Sequence, residues 1–216
     1  MAAATNPNTP AIESRLAESI RSYDQNVHSY IGRYQDIDYR EFRQQLLGSL
    51  DYPPRSLLDV GCGTGRDAKA FNASIPNVIG IDLSYGLLSA AKGIARQAHF
   101  IHADMRKLPI CSASIDVVWS MASLVHLDSE GTILALREMG RVLRPGGSLF
   151  VSVPSGIGSE WREDGLGGRR WFYYFQPSQF LRLANNIGFT IEWTDTGPGV
   201  TRGQWTTLIA RPVSLG

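Results

Sequence analysis

The sequence predicts an α/β protein: a doubly wound, mostly parallel seven-stranded sheet with helices on both faces and an antiparallel last strand. Three observations predict it. From residue 56 onward, short apolar runs alternate with stretches of helical pattern. Strands separated by helices of that length pair in parallel through right-handed crossovers, which places helices on both faces. The first five apolar runs are nearly continuous, as strands buried on both sides must be. The last two have no helix between them and are expected to pair as an antiparallel hairpin.

Residues 1–8 read as a disordered arm, and order is expected from Thr9, an N-cap followed by Pro10 at the first helical position. Ile12, Leu16 and Ile20 then share one helical face. A second helix is expected to open at Asp38, with Glu41 in capping-box position and Phe42, Leu46 and Leu50 as its apolar stripe. "DYPPR" ends it. Strands follow at "SLLDV", "NVIGID", "HFIHA", "SIDVVWSM" and "GSLFVSV", separated by helices at 65–73, 84–97 and 130–143. A helix at 177–187 precedes the closing strands "FTIEWTD" and "QWTTLIA", joined through "TGPGVTRG".

The 216 residues suffice for one sizeable core, and nothing in their composition demands a second. A formal net charge of +1 provides no field to gather polyanions, so neither nucleic acid nor an anionic membrane is an expected partner. Cys62 and Cys111 are the only cysteines, too few for a disulfide scaffold and not at metal-ligand spacing, so no metal is expected. The opening "MAAATNPNTP" lacks the parts of a signal peptide, and no apolar run reaches the about 20 residues of a spanning helix. A cytoplasmic protein, monomer or homodimer, is the expectation.

The stretch "LLDVGCGTGRDA" places Gly61, Gly63 and Gly65 directly after the first strand, where a glycine turn opening a helix aims bare backbone N–H groups at a ligand. A dinucleotide fingerprint needs a small residue where Arg66 stands, which weakens a nicotinamide cofactor. Asp82 closes the second strand about 20 residues after the first glycine, the offset at which a carboxylate accepts both ribose hydroxyls. In "HADM", Asp104 and Met105 end the third strand, and Asp104 can accept the exocyclic amine of adenine. Both acids can also cap the segments that follow them, although Ser84 is available as the cap after Asp82.

With "LDVGCGTG", "GIDLS" and "LRPGG" in order, the chain resembles the class I, Rossmann-like S-adenosylmethionine-dependent methyltransferases, the methyltransferase type 11 group in particular. The resemblance runs from about residue 20 to the end. It implies S-adenosylmethionine as cofactor and S-adenosylhomocysteine as product. Carried over by position, it assigns Asp59, Gly61, Gly63 and Gly65 to the methionine end, Asp82 to the ribose, and Leu83, Asp104 and Met105 to the base. Ser120 closes the far side. An N-terminal tyrosine pattern like "SYDQNVHSY" often lids the cofactor in the family and here offers Tyr23 and Tyr30; seven apart on a helix, they equally suit ordinary core. The implied organisation is one domain over 9–216, with 9–55 as a helical lid, 56–153 as cofactor core, and 154–216 as substrate-side loop and C-terminal hairpin.

His126 follows the fourth strand, where a neutral imidazole can act as general base or serve as a hydrogen-bonded structural residue. The segment 154–175 is long for a crossover loop and supplies Trp161, Arg169, Arg170, Trp171, Tyr173 and Tyr174 as candidate substrate-binding walls. Its arginine pair suits a carboxylate or phosphate. The expected activity is transfer of a methyl group to an oxygen or nitrogen of a small-molecule acceptor. An RNA or protein acceptor and a non-catalytic, cofactor-binding regulatory subunit are the alternatives.

Overall fold

The computed structural model describes residues 12–163, 165, 167–199 and 203–213, so the expected arm and the Thr9 cap lie outside the described residues. At its centre is the sheet. The strands β1 (Ser56–Val60), β2 (Asn77–Asp82), β3 (His99–His102), β4 (Ile115–Met121), β5 (Leu143–Pro154), β8 (Phe189–Pro198) and β9 (Gln204–Pro212) are ordered β3-β2-β1-β4-β5-β9-β8. The first five pair in parallel, and β9 runs antiparallel to both of its neighbours. This bears out the predicted fold class.

The apolar runs explain the two faces. Successive side chains of a strand point to opposite sides, so continuous apolar sequence feeds two cores. On one face Leu57, Val117, Trp119, Phe150 and Ile209 pack with Leu46 of α3 (Arg40–Gly48) and Ala68 and Phe71 of α4 (Arg66–Phe71). Trp119 and Phe150 stack there at 4.0 Å between ring centroids. On the other face Leu58, Val60, Val118, Leu149 and Val151 meet Leu136 and Met139 of α6 (Ser129–Val142) and Phe180 of α7 (Pro177–Asn186).

Two further helices, α1 (Ile12–Gln25) and α2 (Val27–Tyr34), precede α3, and α5 (Tyr85–Ile94) links β2 to β3. Ser84 caps α5 as expected, its hydroxyl accepting from the Leu87 N–H. Asp38 does not cap α3. The cap position is Tyr39, and the Asp38 carboxylate instead accepts from the Arg40 N–H and from Arg43.

The long segment after β5 is not an open loop. It forms a two-stranded antiparallel hairpin of β6 (Ser159–Glu163) and β7 (Arg169–Tyr173), outside the main sheet, with Trp161 opposite Trp171. The Trp171 N–H donates to Ser19 Oγ at 3.0 Å and so ties β7 to α1. No helix among the described residues is long and apolar enough to cross a membrane.

The chain leaves β1 toward β2 and β3, then returns to lay β4 on the other side of β1. At such a reversal, loops diverge beyond the strand ends and leave a crevice. The site lies there.

Candidate active site

The crevice begins with the glycine turn. Gly61, Gly63 and Gly65 have φ of 71°, 54° and 75°, the left-handed region that side chains resist. Space is short as well: a Cβ on Gly61 would lie 2.3 Å from Ser123 Cβ, and one on Gly63 3.2 Å from the Tyr30 hydroxyl. The turn is therefore bare because both conformation and neighbours demand it.

Asp82 is locked to this turn. One carboxylate oxygen accepts the Gly63 N–H at 2.9 Å and the other the Ser84 N–H at 2.8 Å. Burial nevertheless raises its pKa above the ordinary carboxylate value, against the pull of those N–H groups. The buried Asp59 carboxyl is raised well above its usual range by burial and by the nearby Asp67, and its Oδ2 has no hydrogen-bond partner.

A cavity of about 160 Å³ lies over the turn, lined by Gly61, Gly63 and Asp82 and covered by Tyr23 and Tyr30. Tyr23 ends α1 and Tyr30 lies in α2, so they reach one cavity from two helices rather than one face of a single helix. Their rings meet edge to face at 5.4 Å, and Tyr34 continues the row 4.8 Å from Tyr30. Asp24 fixes the end of α1, accepting from Ser84 Oγ at 2.6 Å and from the Gly86 N–H at 2.9 Å. An acid at the start of α5 also complements that helix's dipole.

Leu83, Asp104 and Met105 line the cavity as well. Both oxygens of Asp104 accept from Arg106, which reaches on to Glu13 at 2.7 Å. Burial favours a raised Asp104 pKa, but Arg106 overcomes it and holds the carboxyl below its ordinary value. Ser120 is fully buried and stands behind the lining, its hydroxyl 2.5 Å from that of Ser123, which faces the cavity.

The opposite wall comes from β7 and from the 3-10 turn Leu124–His126. His126 Nε2 lies 3.0 Å from the Tyr23 hydroxyl, and Nδ1 meets the Trp171 carbonyl oxygen. Burial pushes its pKa down to about 4, against the pull of that carbonyl. Arg170 is 3% exposed, and its guanidinium stands 4.6 Å over the Tyr23 ring.

Strand alternation sorts the remaining candidates. Arg170 and Phe172 of β7 line the cavity, whereas Arg169, Trp171 and Tyr173 point to the other side of the hairpin. Arg169 pairs with Glu18 at 2.6 Å and covers Trp161, Trp171 lies under Arg15, and Tyr173 hydrogen-bonds Ser129. Tyr174 faces a separate outer groove and bonds Glu160. Those five, with Gly65, Ser120 and Asp59, are not among the cavity's lining residues.

The sequence assigns no site role to Tyr34, Arg66, Ser123, Phe172 and Trp205, which do line it. Tyr34 was within reach of the tyrosine pattern, four residues after Tyr30. Ser123 carried no signal. It reaches Gly61 because Ala122 adopts a φ of 55°, left-handed backbone rare outside glycine.

A family model described as a methyltransferase domain matches residues 57–147. A malonyl-[acyl-carrier protein] O-methyltransferase of Serratia marcescens is 30% identical over 183 residues, covering 82% of this chain and 67% of that protein. A 27-O-demethylrifamycin SV methyltransferase of Amycolatopsis mediterranei is 39% identical over 115 residues, 48% of this chain and 42% of the relative. The chain thus spans only part of these relatives, about half of several others. In fold it is similar to the 1,6-didemethyltoxoflavin-N1-methyltransferase of Burkholderia thailandensis, solved with bound 1,6-didemethyltoxoflavin and S-adenosylhomocysteine. The TM-score is 0.73 at 20% identity, covering 97% of this chain and 94% of that one.

Proposed function

We propose that this chain, which belongs to the class I S-adenosylmethionine-dependent methyltransferases, moves a methyl group from that cofactor to an oxygen of a small-molecule acceptor. One observation carries the reading: a single cavity is lined on one side by Gly61, Gly63 and Asp82 and on the other by Tyr23, His126 and Arg170. Curated relatives include proteins named O-methyltransferases, which favours oxygen over nitrogen.

The residues present suit the cofactor. The glycine turn leaves a cradle that a Cβ would fill, beside the Asp82 carboxylate in the same cavity. Asp82 would hold the ribose hydroxyls, with Leu83, Asp104 and Met105 around the base and Tyr30 over the turn. When bound, S-adenosylmethionine supplies an electrophilic methyl group on a sulfonium.

The chain's own contribution is placement. Holding two reactants as a near-attack pair replaces an encounter with a unimolecular step, worth about 7–11 kcal/mol in well-oriented cases. Tyr30 and Tyr34 cover the turn and exclude water, and aromatic faces favour a cation nearby. Arg170 and Phe172 form the acceptor wall beside Tyr23 and His126. On this reading the turns after β1, β2 and β3 hold the cofactor, α1 and α2 cover it, and β7 with the Leu124–His126 turn shapes the acceptor side.

The test is turnover. Incubation with methyl-labelled donor and a panel of small hydroxyl, carboxyl and amine acceptors should yield a labelled product together with S-adenosylhomocysteine. Donor binding without transfer to any of them would leave the fold reading standing and overturn the activity.

A further inference from the structure

Resting on the methyl-transfer reading above, we propose that the acceptor is an alcohol or phenol that still carries its proton, and that Tyr23 is the catalytic residue that receives it. His126 is then a positioning residue acting through Tyr23. The argument is one of hydrogen-bond direction. The Trp171 carbonyl oxygen can only accept, so the hydrogen between it and His126 belongs to Nδ1. The ring is neutral, because burial holds its pKa near 4, so Nε2 carries no hydrogen and must accept. Its partner 3.0 Å away is the Tyr23 hydroxyl, which therefore donates.

Tyr23 has one hydrogen, and it is committed inward. Arg170 also hydrogen-bonds the Tyr23 hydroxyl, so what that oxygen has left to present to the cavity is a lone pair. A group that docks there must donate, as a hydroxyl can and a carboxylate cannot. A carboxylate would oppose lone pair to lone pair, or force Tyr23 to turn its hydrogen outward and strand a buried Nε2 without a donor. Tyr23 thus selects against a carboxylate at its own oxygen, and the Arg170 guanidinium beside it is engaged with the Tyr23 hydroxyl.

The step balances. As the acceptor oxygen bonds to the methyl carbon, the methyl–sulfur pair stays on sulfur, and the acceptor's O–H bond breaks toward Tyr23 Oη. The original Tyr23 proton passes to His126 Nε2, while Nδ1–H stays on the Trp171 carbonyl. Arg170, 4.6 Å over the Tyr23 ring, favours negative charge on the phenol oxygen during the transfer. The imidazolium returns its proton through Tyr23 once product leaves. The other groups that face this relay are Tyr30 and Tyr34 on α2, Arg66 on α4 and Asp82 at the end of β2.

The first arm of the test uses the wild-type chain, methyl-labelled S-adenosylmethionine and paired acceptors of one skeleton, such as 2-naphthol with 2-naphthoate and 2-phenylethanol with phenylacetate. Methyl ethers survive mild alkali and methyl esters do not. At least about ten times more label should be alkali-stable than alkali-labile; predominantly labile label, or no transfer to any hydroxyl, overturns the proposal. The second arm compares Tyr23→Phe, His126→Gln and the double variant on the best hydroxyl acceptor. Each single change should lower kcat about 100-fold with KM and donor affinity nearly unchanged, and the double variant should be no worse than either, as residues acting as a unit behave. Additive losses, or an unchanged kcat for Tyr23→Phe, overturn it. Calorimetric donor binding on the same samples separates the readings: donor bound with esters formed sinks this proposal alone, and no donor bound sinks the methyl-transfer reading with it.

Discussion

One wall of the cavity is made of backbone from a five-residue turn, whereas the facing wall is made of side chains gathered from distant segments. Gly61 to Gly65 act through conformation and bareness, with Asp82 fastening the turn from the next strand. Tyr23 and His126 meet across 103 residues of sequence, and Arg170 joins them from a hairpin outside the main sheet. The backbone wall tolerates no added atom. The side-chain wall tolerates change wherever strand alternation turns a residue away.

The largest expected effect breaks the backbone wall. Gly61→Ala puts a Cβ 2.3 Å from Ser123 on backbone with φ of 71°, and neither can give cheaply. Donor affinity should fall at least 100-fold, with about 2 kcal/mol or more of stability lost, read by calorimetry and thermal unfolding. Retained affinity would mean that the turn does not seat the donor.

A second effect belongs to the side-chain wall and to pH. Burial lowers the folded His126 pKa to about 4 from an unfolded value near 6.5, so between these values the unfolded chain binds more protons. The stability this neutral ring confers is complete above about pH 6.5 and is lost as pH falls toward 4, about 3 kcal/mol at most. His126→Gln should flatten the fall of the unfolding midpoint across that window. An unchanged slope would place the acid sensitivity elsewhere.

Smaller effects sharpen the contrast within β7. Arg170→Met should lower kcat/KM by about 10- to 100-fold, because that guanidinium borders the cavity between Tyr23 and Phe172. Arg169→Met, one residue away on the other side of the strand, should stay within about 2-fold, since an exposed pair such as Arg169–Glu18 contributes little. Equal losses at both positions would contradict the alternation.

That same contrast decides what the sequence could disclose. The turn, Asp82 and the strand pattern are local, and the spacing of Gly61, Gly63, Gly65 and Asp82 shows them directly. The strands lie within a few residues of expectation because doubly buried runs carry their own signature. Arg170 stood among six candidates in one segment; only the β6–β7 pairing, which glycine-rich sequence concealed, separates it from Arg169 and Trp171. The contact of His126 with Tyr23 depends on how α1 docks on β7, through Ser19 and Trp171, and no periodicity encodes that. Ser123 is the extreme case, aimed at Gly61 by the left-handed backbone of Ala122.

The central claim is that the glycine turn and Asp82 seat S-adenosylmethionine. Its most direct test is calorimetric titration of the purified chain with S-adenosylmethionine and, separately, with NAD. The account predicts one equivalent of the methyl donor bound with micromolar affinity, lost in Asp82→Ala, and no heat with NAD. Binding of NAD in its place, or donor affinity unchanged in Asp82→Ala, would contradict it.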